Sequence, residues 1–271
     1  MEEEQVFVIS KSKTLSALPS EIAETCLARD INEAGTLPTL VVLDDDPTGT
    51  QTCHDINVLT VWDVSTLVEE FRLSETGFFI LTNSRALHTP EARNLIREVC
   101  QAVQEAAQIA GKEFEIVLRG DSTLRGHFPD EPEITEETIG HVDAWILAPF
   151  FFQGGRLTID DVHYVADGDS LVPAAQTPFA KDASFGYKNS NLRKYVVEKS
   201  KGKISPDEIK SVSLQDIRNG GPEKVKNLLL GFQHTKVIIV NAAAETDMEI
   251  FVQGLLQGMQ TRPHWRLAVL V

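Results

Sequence analysis

Three consecutive aspartates end an apolar run in the stretch VVLDDDPTGTQT, residues 41–52. A carboxylate at the carboxyl end of a strand meets the ligand crevice of an open α/β sheet. Asp and Pro also form turns and helix caps, so a single aspartate here would carry little information. Because the adjacent charges of Asp44, Asp45 and Asp46 repel one another, they need a cation or hydrogen-bond donors nearby. The stretch therefore predicts a binding or catalytic site for a polar ligand.

Arginines and hydroxyl-bearing residues follow three other apolar runs. These are TNSRAL at residues 82–87, VLRGDSTLRGHFP at 117–129 and PFFFQGGRLT at 149–158. The guanidinium fork of arginine suits carboxylate or phosphate groups, and aspartate accepts hydrogen bonds from hydroxyls. The predicted ligand is thus small, polyhydroxylated and anionic. The cluster that would bind it consists of Arg85, Arg119, Arg125 and Arg156 beside Asp45, Asp46 and Asp121.

A second interpretation of the aspartates is a phosphatase site. Asp44, Asp46 and Thr48 fit the DxDxT pattern of haloacid-dehalogenase-like phosphatases, in which the first Asp is a nucleophile and the second a general acid. The stretch ILTNS would then be the second motif, and residues 160–161 the acidic metal pair. Gly49 stands where that pattern has a hydrophobic residue, so this hypothesis is kept as the weaker alternative.

The histidines and cysteines do not indicate a further catalytic, metal-binding or disulfide site. His127 and His163 have no partner nucleophile in the sequence and are interpreted as structural or surface residues. No metal-site spacing, P-loop or GxGxxG motif is present, so no residue is predicted to bind a metal. Cys26, Cys53 and Cys100 are widely spaced and odd in number, which argues against a disulfide framework.

The composition excludes several classes of partner. A formal net charge of −15 and a pI near 4.9 argue against a surface that binds nucleic acid. The N-terminus carries three glutamates where a secretory peptide needs basic residues, and no apolar segment approaches the roughly 20 residues of a membrane helix. We therefore expect a cytoplasmic protein with neither a nucleic-acid nor a membrane partner.

Strand-like and helix-like runs alternate from residue 39 onward, which predicts an α/β fold with a mostly parallel, doubly wound, Rossmann-like sheet. Strands are predicted at TLVVLD, INVLTVW, FFILTN, FEIVLRG, AWILAPFFF and KVIIVN, and helices at about 64–73, 90–110, 133–140, 190–200, 221–232 and 246–259. Turn residues recur every few positions between residues 154 and 187, which indicates a hairpin or cap excursion.

Three segments are predicted along the chain. Residues 1–36 form an N-terminal arm with a lead-in helix over 20–35, and residues 37–262 form the main domain. Residues 263–271 end in an apolar run without a cap, so they are predicted to be the truncated start of a following segment.

The motifs LDDDPTGTQTCHDINVLT, ILTNSRAL and VLRGDSTLRGHFP, with the segment from PFFFQGGRLTIDDVHYV to NLRKYVVEK, resemble in order and spacing the N-terminal domain of the four-carbon acid sugar kinase family. The resemblance covers residues 39–260. The residues of the motifs DDDPTGTQT and GGRLTIDDVHYV are similar to those of the plant branch of the family. In that branch, such a kinase-like region can be fused to a class II aldolase-like region.

The resemblance implies an enzyme that phosphorylates acids such as threonate and erythronate. Its N-terminal domain would hold the acid sugar, while a C-terminal domain would make most of the contacts with ATP and Mg²⁺. Asp45 and Asp46 would be catalytic, because the family's ADDxTGA element matches there. Together with Arg119 from the cluster above, the substrate-binding set would be Thr48, Gly49, Ser84, Arg85, Asp121, Ser122, Thr123, Arg125, Gly126 and Arg156.

Alternatives to this function remain open in the sequence. The nucleotide-binding domain expected from the resemblance is absent, so the chain alone could be inactive, or be a module that binds an acid sugar without turnover. The roles of Asp160 and Asp161 are open, because relatives often carry a small residue there. The expected partners are a small sugar acid and the C-terminal domain, and whether the chain forms a homo-oligomer is left open.

Overall fold

The computed structural model describes residues 6–23, 25–33, 37–50, 53–74, 76–262 and 267–270. The chain divides into two compact units. The first unit comprises Met1–Gly35, Ser122–Leu124 and Ile146–Trp265, and the second comprises Thr36–Asp121, Arg125–Trp145 and Arg266–Val271.

The second unit contains a parallel sheet. Its strands are β2 (Thr39–Asp44), β3 (Val58–Leu59), β4 (Gly77–Leu81), β5 (Phe114–Arg119), β12 (Leu267–Leu270) and the first half of β6 (Ala144–Leu147). They follow the order β6-β12-β5-β2-β4-β3, and the pairings from β12 through β3 are parallel. Asp44 lies level with Leu81 on one neighbour and Arg119 on the other. The carboxyl ends of three adjacent strands therefore meet at one edge of the sheet.

Three helices pack on this sheet: α3 (Val64–Leu73), α4 (Thr89–Ala110) and α5 (Asp130–Ile139). Asp63 caps α3 by accepting a hydrogen bond from the Thr66 backbone N–H, and α4 ends at Gly111 in the left-handed conformation. The core between sheet and helices includes Val41, Leu43, Phe78, Ile80, Ile116, Leu118, Leu67, Phe71, Ile96 and Val103.

The first unit contains an antiparallel sheet and a parallel strand pair. The antiparallel sheet has the order β1-β9-β8-β7, with β1 (Ile9–Ser10), β7 (Arg156–Ile159), β8 (Val162–Asp167) and β9 (Ser170–Pro173). Strands β10 (Ile209–Val212) and β11 (Val237–Val240) are parallel and follow the second half of β6 in strand order. The helices are α1 (Lys11–Ala17), α2 (Leu27–Glu33), α6 (Leu192–Lys199), α7 (Leu214–Gly231) and α8 (Glu245–Thr261).

The predicted α/β class with a mostly parallel sheet is confirmed, and so is the excursion between 154 and 187, where β7, β8 and β9 form antiparallel hairpins. Several boundaries were wrong. The strand predicted at INVLTVW is limited to Val58–Leu59, because β3 is the edge strand of the sheet and, among the described residues, pairs with β4 alone. Helix α7 begins at Leu214, since Ser213 caps an extra turn before the kink at Gly221. Of the predicted lead-in helix over 20–35, the described residues form a helix at Leu27–Glu33, and residues 24, 34 and 35 lie outside the described part of the chain. Elements α1, β10 and β12 were not predicted.

Within the described residues, no helix combines the length and apolar character needed to cross a bilayer. Residues 263–266 and 271, which belong to the predicted following segment 263–271, lie outside the described part of the chain.

Candidate functional site

Backbone hydrogen bonds join three loops at the edge of the second unit's sheet. The Thr82 N–H donates to the Asp44 carbonyl at 2.9 Å, and the Arg85 N–H donates to the Asp45 carbonyl at 3.3 Å. On the other side, the Asp45 N–H donates to the Arg119 carbonyl at 3.2 Å. Between these contacts Asn83 adopts a left-handed φ of 53°, which asparagine tolerates better than most residues. The loops that follow β2, β4 and β5 are thus fixed to one another.

Asp45 and Arg85 form a two-pronged ion pair. Arg85 Nε donates to Asp45 Oδ2 at 3.0 Å and Nη2 donates to Oδ1 at 2.5 Å. The Asp45 side chain is only 4% exposed. Burial raises the pKa of Asp45 and the nearby charge of Asp121 adds to that rise, while the guanidinium groups of Arg85 and Arg119 oppose it. Arg85 is the chief partner that allows a negative charge at this buried position.

Asp46 is held differently. Its Oδ1 accepts hydrogen bonds from the Thr48 hydroxyl at 2.5 Å and the Thr48 backbone N–H at 2.9 Å. These bonds lower the pKa of Asp46, and Arg85 Nη1 lies 3.5 Å from Oδ2. The side chain is 28% exposed. Asp46 is therefore an ionised carboxylate with a face open to a ligand.

Asp44 is the buried member of the three aspartates. Its side chain is 1% exposed, and Oδ1 has no hydrogen-bond partner among the described residues. The closest guanidinium nitrogen is Arg119 Nη1, at 3.7 Å from Oδ1. Burial raises the pKa of Asp44 to about 6, although Arg119 and the Asp46 backbone N–H oppose the rise. Gly49 covers the carboxylate, and a Cβ at this position would overlap it.

Arg119 is the last residue of β5, and Arg125 lies in the loop that follows it. Arg125 Nε donates to Asp121 Oδ2 at 2.6 Å, so it is engaged with a carboxylate. Arg119 is 22% exposed, and within the described chain the loose contact with Asp44 is its single ion pair. No described acceptor takes a hydrogen bond from its guanidinium group. Arg119 is thus the arginine of this cluster whose donors face the fewest protein acceptors.

Glu131, which is half-buried, carries a carboxyl group next to the second loop that the motifs did not indicate. The Ser84 hydroxyl is completely buried and donates to Glu131 Oε1 at 2.5 Å. His127 Nε2 donates to the Ser84 carbonyl at 3.1 Å on the other side. Burial raises the pKa of Glu131 to about 7, although the hydrogen bond from Ser84 lowers it. In the sequence, Glu131 resembles an ordinary acidic residue in the first turn of a helix.

Replacing Glu131 with glutamine should flatten the pH dependence of stability. Between its ordinary pKa of 4.5 and about 7, the folded state keeps a proton that the unfolded state has released. The free energy of unfolding of the wild type therefore falls as pH rises through that window. Glutamine can still accept the Ser84 hydrogen bond but cannot ionise. The free energy of unfolding of Glu131→Gln, relative to that of the wild type, should increase by roughly 3 kcal/mol from pH 4.5 to pH 8. The size of this change follows from the rise in the pKa of Glu131.

Urea unfolding at a series of pH values measures this difference. The control is Glu105→Gln, which removes the same charge from the exposed surface of α4 in the same unit. Parallel pH profiles for wild type and Glu131→Gln would show that Glu131 titrates normally.

Three consecutive carbonyls of the loop Ser122–Leu124 are held by side chains of the first unit. The Ser122 carbonyl accepts from His163 Nε2 at 2.7 Å, and the Thr123 carbonyl accepts from the Tyr187 hydroxyl at 2.8 Å. The Leu124 carbonyl accepts from the Tyr195 hydroxyl at 3.2 Å. These contacts stabilise the left-handed φ of 67° at Leu124, which costs energy for a bulky residue. The role of the two tyrosines was not predicted, because it depends on contacts distant in sequence.

Arg156 also belongs to the first unit. Its guanidinium carbon lies 5.9 Å from the ring centre of Phe151 and 5.8 Å from that of Phe179, and Nη1 donates to the Gly154 carbonyl. Nε is buried without a hydrogen-bond partner in the described chain. The predicted ligand residues Ser122, Thr123 and Arg156 are therefore in the first unit. All other predicted site residues are in the second: Asp45, Asp46, Thr48, Gly49, Ser84, Arg85, Arg119, Asp121, Arg125 and Gly126.

The structure gives Asp161 an anchoring role. It forms the turn between β7 and β8 with Asp160, and both residues have positive φ, 51° for Asp160 and 64° for Asp161. The Asp161 carboxylate accepts from Asn241 Nδ2 at 2.8 Å and from the Ser211 hydroxyl at 2.7 Å. Asp160 is exposed. Asp161 thus ties the hairpin to residues that follow β11 and belong to β10.

Across the ranges that the structure describes, no group of three or more His, Cys, Asp and Glu side chains is arranged to hold a metal ion. The two carboxylates of the Asp45–Asp46 pair are instead compensated by Arg85 and by the donors of Thr48.

Comparison with known proteins supports the family predicted from the motifs. Residues 40–268 match the family described as sugar-binding N-terminal domain. The fold is similar to that of a Haemophilus influenzae DUF1537 protein, with a TM-score of 0.59, 16% identity and coverage of 85% of this chain and 53% of that one. A Bordetella bronchiseptica DUF1537 protein, crystallised with bound citrate as a domain-swapped dimer, gives a TM-score of 0.63, 17% identity and coverage of 86% and 54%.

No curated protein sequence matches the chain. The chain spans about half the length of each of these two solved structures. The family match extends over most of the chain and includes all the predicted site motifs. The chain belongs to the sugar-binding N-terminal domain family of the four-carbon acid sugar kinases, as its motifs predicted.

Proposed function

We propose that the chain is the substrate-binding part of an ATP-dependent kinase for four-carbon acid sugars such as threonate or erythronate. The observation that carries the proposal is the pairing of Arg119, whose donors are not engaged in hydrogen bonds with described residues, with the ionised and partly exposed Asp46. They follow adjacent strands, which lie about 4.8 Å apart in a sheet. A short acid with a hydroxyl group can reach both side chains.

Each side chain has a role in holding such a ligand. The Arg119 fork binds the ligand carboxylate, and Asp46 accepts a hydrogen bond from the hydroxyl that reacts and orients it. The Asp45–Arg85 pair keeps the loop after β2 in place and supplies further charge next to the hydroxyl. Positioning and charge stabilisation of this kind supply most of the catalysis in phosphoryl transfer.

ATP, when bound, supplies the phosphoryl group. We assign ATP and its Mg²⁺ to a nucleotide-binding partner domain, as the family resemblance implies. The relatives of about twice this length are consistent with such a domain. The citrate in the Bordetella bronchiseptica structure is a small hydroxylated carboxylate, the general chemical type of the proposed ligand.

The phosphatase alternative does not fit the geometry of the aspartates. Its nucleophile would be Asp44, which is buried beneath Gly49 and cannot reach a phosphate group. Its acidic metal pair would include Asp161, whose two carboxylate oxygens accept hydrogen bonds from Asn241 and Ser211. A module that binds an acid sugar without turnover remains the second candidate function, because the chain spans only half of its relatives.

The test combines calorimetry with an assay for ADP. The purified chain should bind threonate or erythronate, and with Mg-ATP it should release ADP, on its own or after addition of the partner domain. Binding without ADP release in either case would favour the non-catalytic module. Failure to bind either acid would overturn the proposal, and phosphate release from a sugar phosphate without ATP would restore the phosphatase hypothesis.

Replacing Arg119 with methionine should weaken binding of the acid by 1.5–3 kcal/mol, roughly 10- to 150-fold, as expected for a lost charged hydrogen bond. Methionine keeps much of the apolar stem, so the fold should persist. Calorimetry with threonate or erythronate measures the change. Arg72→Met removes the same charge from an exposed position in α3 and should leave binding within about twofold. Equal affinities for Arg119→Met and wild type would remove Arg119 from the site.

A further inference from the structure

The ion pairs among the described residues of the second unit's site contain more carboxylates than guanidinium groups. Four carboxylates, those of Asp44, Asp45, Asp46 and Asp121, are accompanied by three guanidinium groups, those of Arg85, Arg119 and Arg125. Asp45 and Asp121 have close partners, at 2.5 Å and 2.6 Å. Asp46 is stabilised by Thr48. Asp44 has only a loose ion pair, in which its Oδ1 lies 3.7 Å from Arg119 Nη1, and Arg119 is also the guanidinium group proposed to bind the ligand.

Asp44 differs from Asp45 and Asp46 in its burial and in its hydrogen-bond partners. Its side chain is almost completely buried, its Oδ1 has no hydrogen-bond partner among the described residues, and its contact with Arg119 is too long for a hydrogen bond. Gly49 closes the space above it. Asp44 therefore cannot hydrogen-bond a ligand directly, but its charge acts at short range on a ligand carboxylate bound by Arg119. Burial strengthens that action, since little water lies near Asp44 to screen it.

We propose that Asp44 is a specificity-determining residue that favours singly charged acids over multiply charged ones at the Arg119 site. The inference rests on the proposed acid-binding function of that site. The carboxylate of a monoacid binds the Arg119 fork and is repelled once by the negative charge of Asp44, which the loose contact with Arg119 offsets only in part. A ligand with two or three negative charges gains the same fork but is repelled in proportion to its charge. The residue thus selects by ligand charge without touching the ligand.

This role makes a prediction that a structural role does not. If Asp44 only held Arg119 in place, its loss would change the affinity of all acids by the same factor. If its charge selects, neutralisation should strengthen binding more as the ligand carries more charge. The same field would also disfavour a phosphorylated acid, so it would help the release of a kinase product.

The experiment compares erythronate, tartrate and citrate, which carry one, two and three carboxylates, by calorimetry at pH 8 and fixed ionic strength. Wild type is compared with Asp44→Asn, which keeps the side-chain shape, and with Asp44→Ala, which keeps the protein testable if buried asparagine is not tolerated. The control is Asp55→Asn, which removes an equal charge from an exposed position of the same unit with φ of 56°, where asparagine is well accommodated.

In Asp44→Asn the affinity for tartrate relative to erythronate should rise about fivefold, and the ratio for citrate should rise further, as a buried charge at short range predicts. Asp55→Asn should leave both ratios within about twofold. Equal changes for the three acids in both Asp44 variants would overturn the inference while leaving the proposed function intact. If the wild type binds none of the three acids and no threonate, the proposed function itself fails.

Discussion

Replacing Gly49 with alanine should destabilise the protein by about 2–3 kcal/mol, at the upper end of the cost of overpacking a close-packed site. The added methyl group would overlap the carboxylate of Asp44, which is buried and has no free space to move into. Either the turn that follows β2 must lift or the carboxylate must rotate. Both changes disturb Asp46 and Thr48, so ligand binding should be lost together with stability. Urea unfolding and calorimetry with erythronate measure the two effects.

Two companion variants separate the clash from the general effect of alanine. Gly231→Ala adds a methyl group at the end of α7, where a Cβ meets nothing within 4 Å, and should be neutral or slightly stabilising. Gly49→Ala combined with Asp44→Ala removes the overlapping carboxylate and should recover most of the lost stability. If Gly49→Ala unfolds at the same urea concentration as Gly231→Ala, the close approach of Gly49 to Asp44 is not a constraint on the fold.

The elements that position the site could be predicted from local sequence. The run TLVVLD forms β2 from Thr39 to Asp44, and α3 covers Val64–Leu73 because Asp63 caps its start. Once the strands are parallel, their carboxyl ends share an edge, and the loops that carry Asp45, Arg85 and Arg119 meet there. Periodicity and chain direction are enough to bring these residues together.

The division of roles among adjacent aspartates could not be predicted. Asp44, Asp45 and Asp46 are equivalent in the sequence, but one is covered by Gly49, one pairs with Arg85 and one accepts hydrogen bonds from Thr48. These outcomes depend on how the turn folds back and on which strand lies beside β2.

The side chains that support the site loops could not be predicted, because their contacts join residues that are distant in sequence. Glu131 meets Ser84 across 47 positions, and Tyr187 meets Thr123 across 64. Neither glutamate in a helical first turn nor tyrosine in a loop is unusual on its own. Their significance lies in which backbone or hydroxyl group they meet, and a single sequence does not carry that information.

Replacing Arg85 with methionine should destabilise the protein by about 3–5 kcal/mol at pH 7, the cost of leaving a buried charge without its partner. Asp45 is 4% exposed and takes two hydrogen bonds from this one guanidinium group. Without them, burial disfavours the Asp45 carboxylate, which must either take up a proton or draw water into the site. The loss should therefore diminish as pH falls, because protonation removes the unpaired charge. Urea unfolding at pH 5 and pH 7 measures both the size and the pH dependence of the effect.

A second substitution decides whether the loss comes from the stranded charge or from lost packing. Asp45→Asn in the Arg85→Met background removes the charge while keeping the shape, and should recover at least half of the lost stability at pH 7. Arg93→Met is the matched control, because Arg93 pairs with Asp130, Glu133 and Glu137 where solvent reaches the partners, and such pairs contribute about 1 kcal/mol or less. If the double variant is no more stable than Arg85→Met, the guanidinium stem rather than its charge supports this edge of the sheet. Recovery in the double variant would show that the main contribution of Arg85 is to keep Asp45 ionised, since the fold alone could do without both charges.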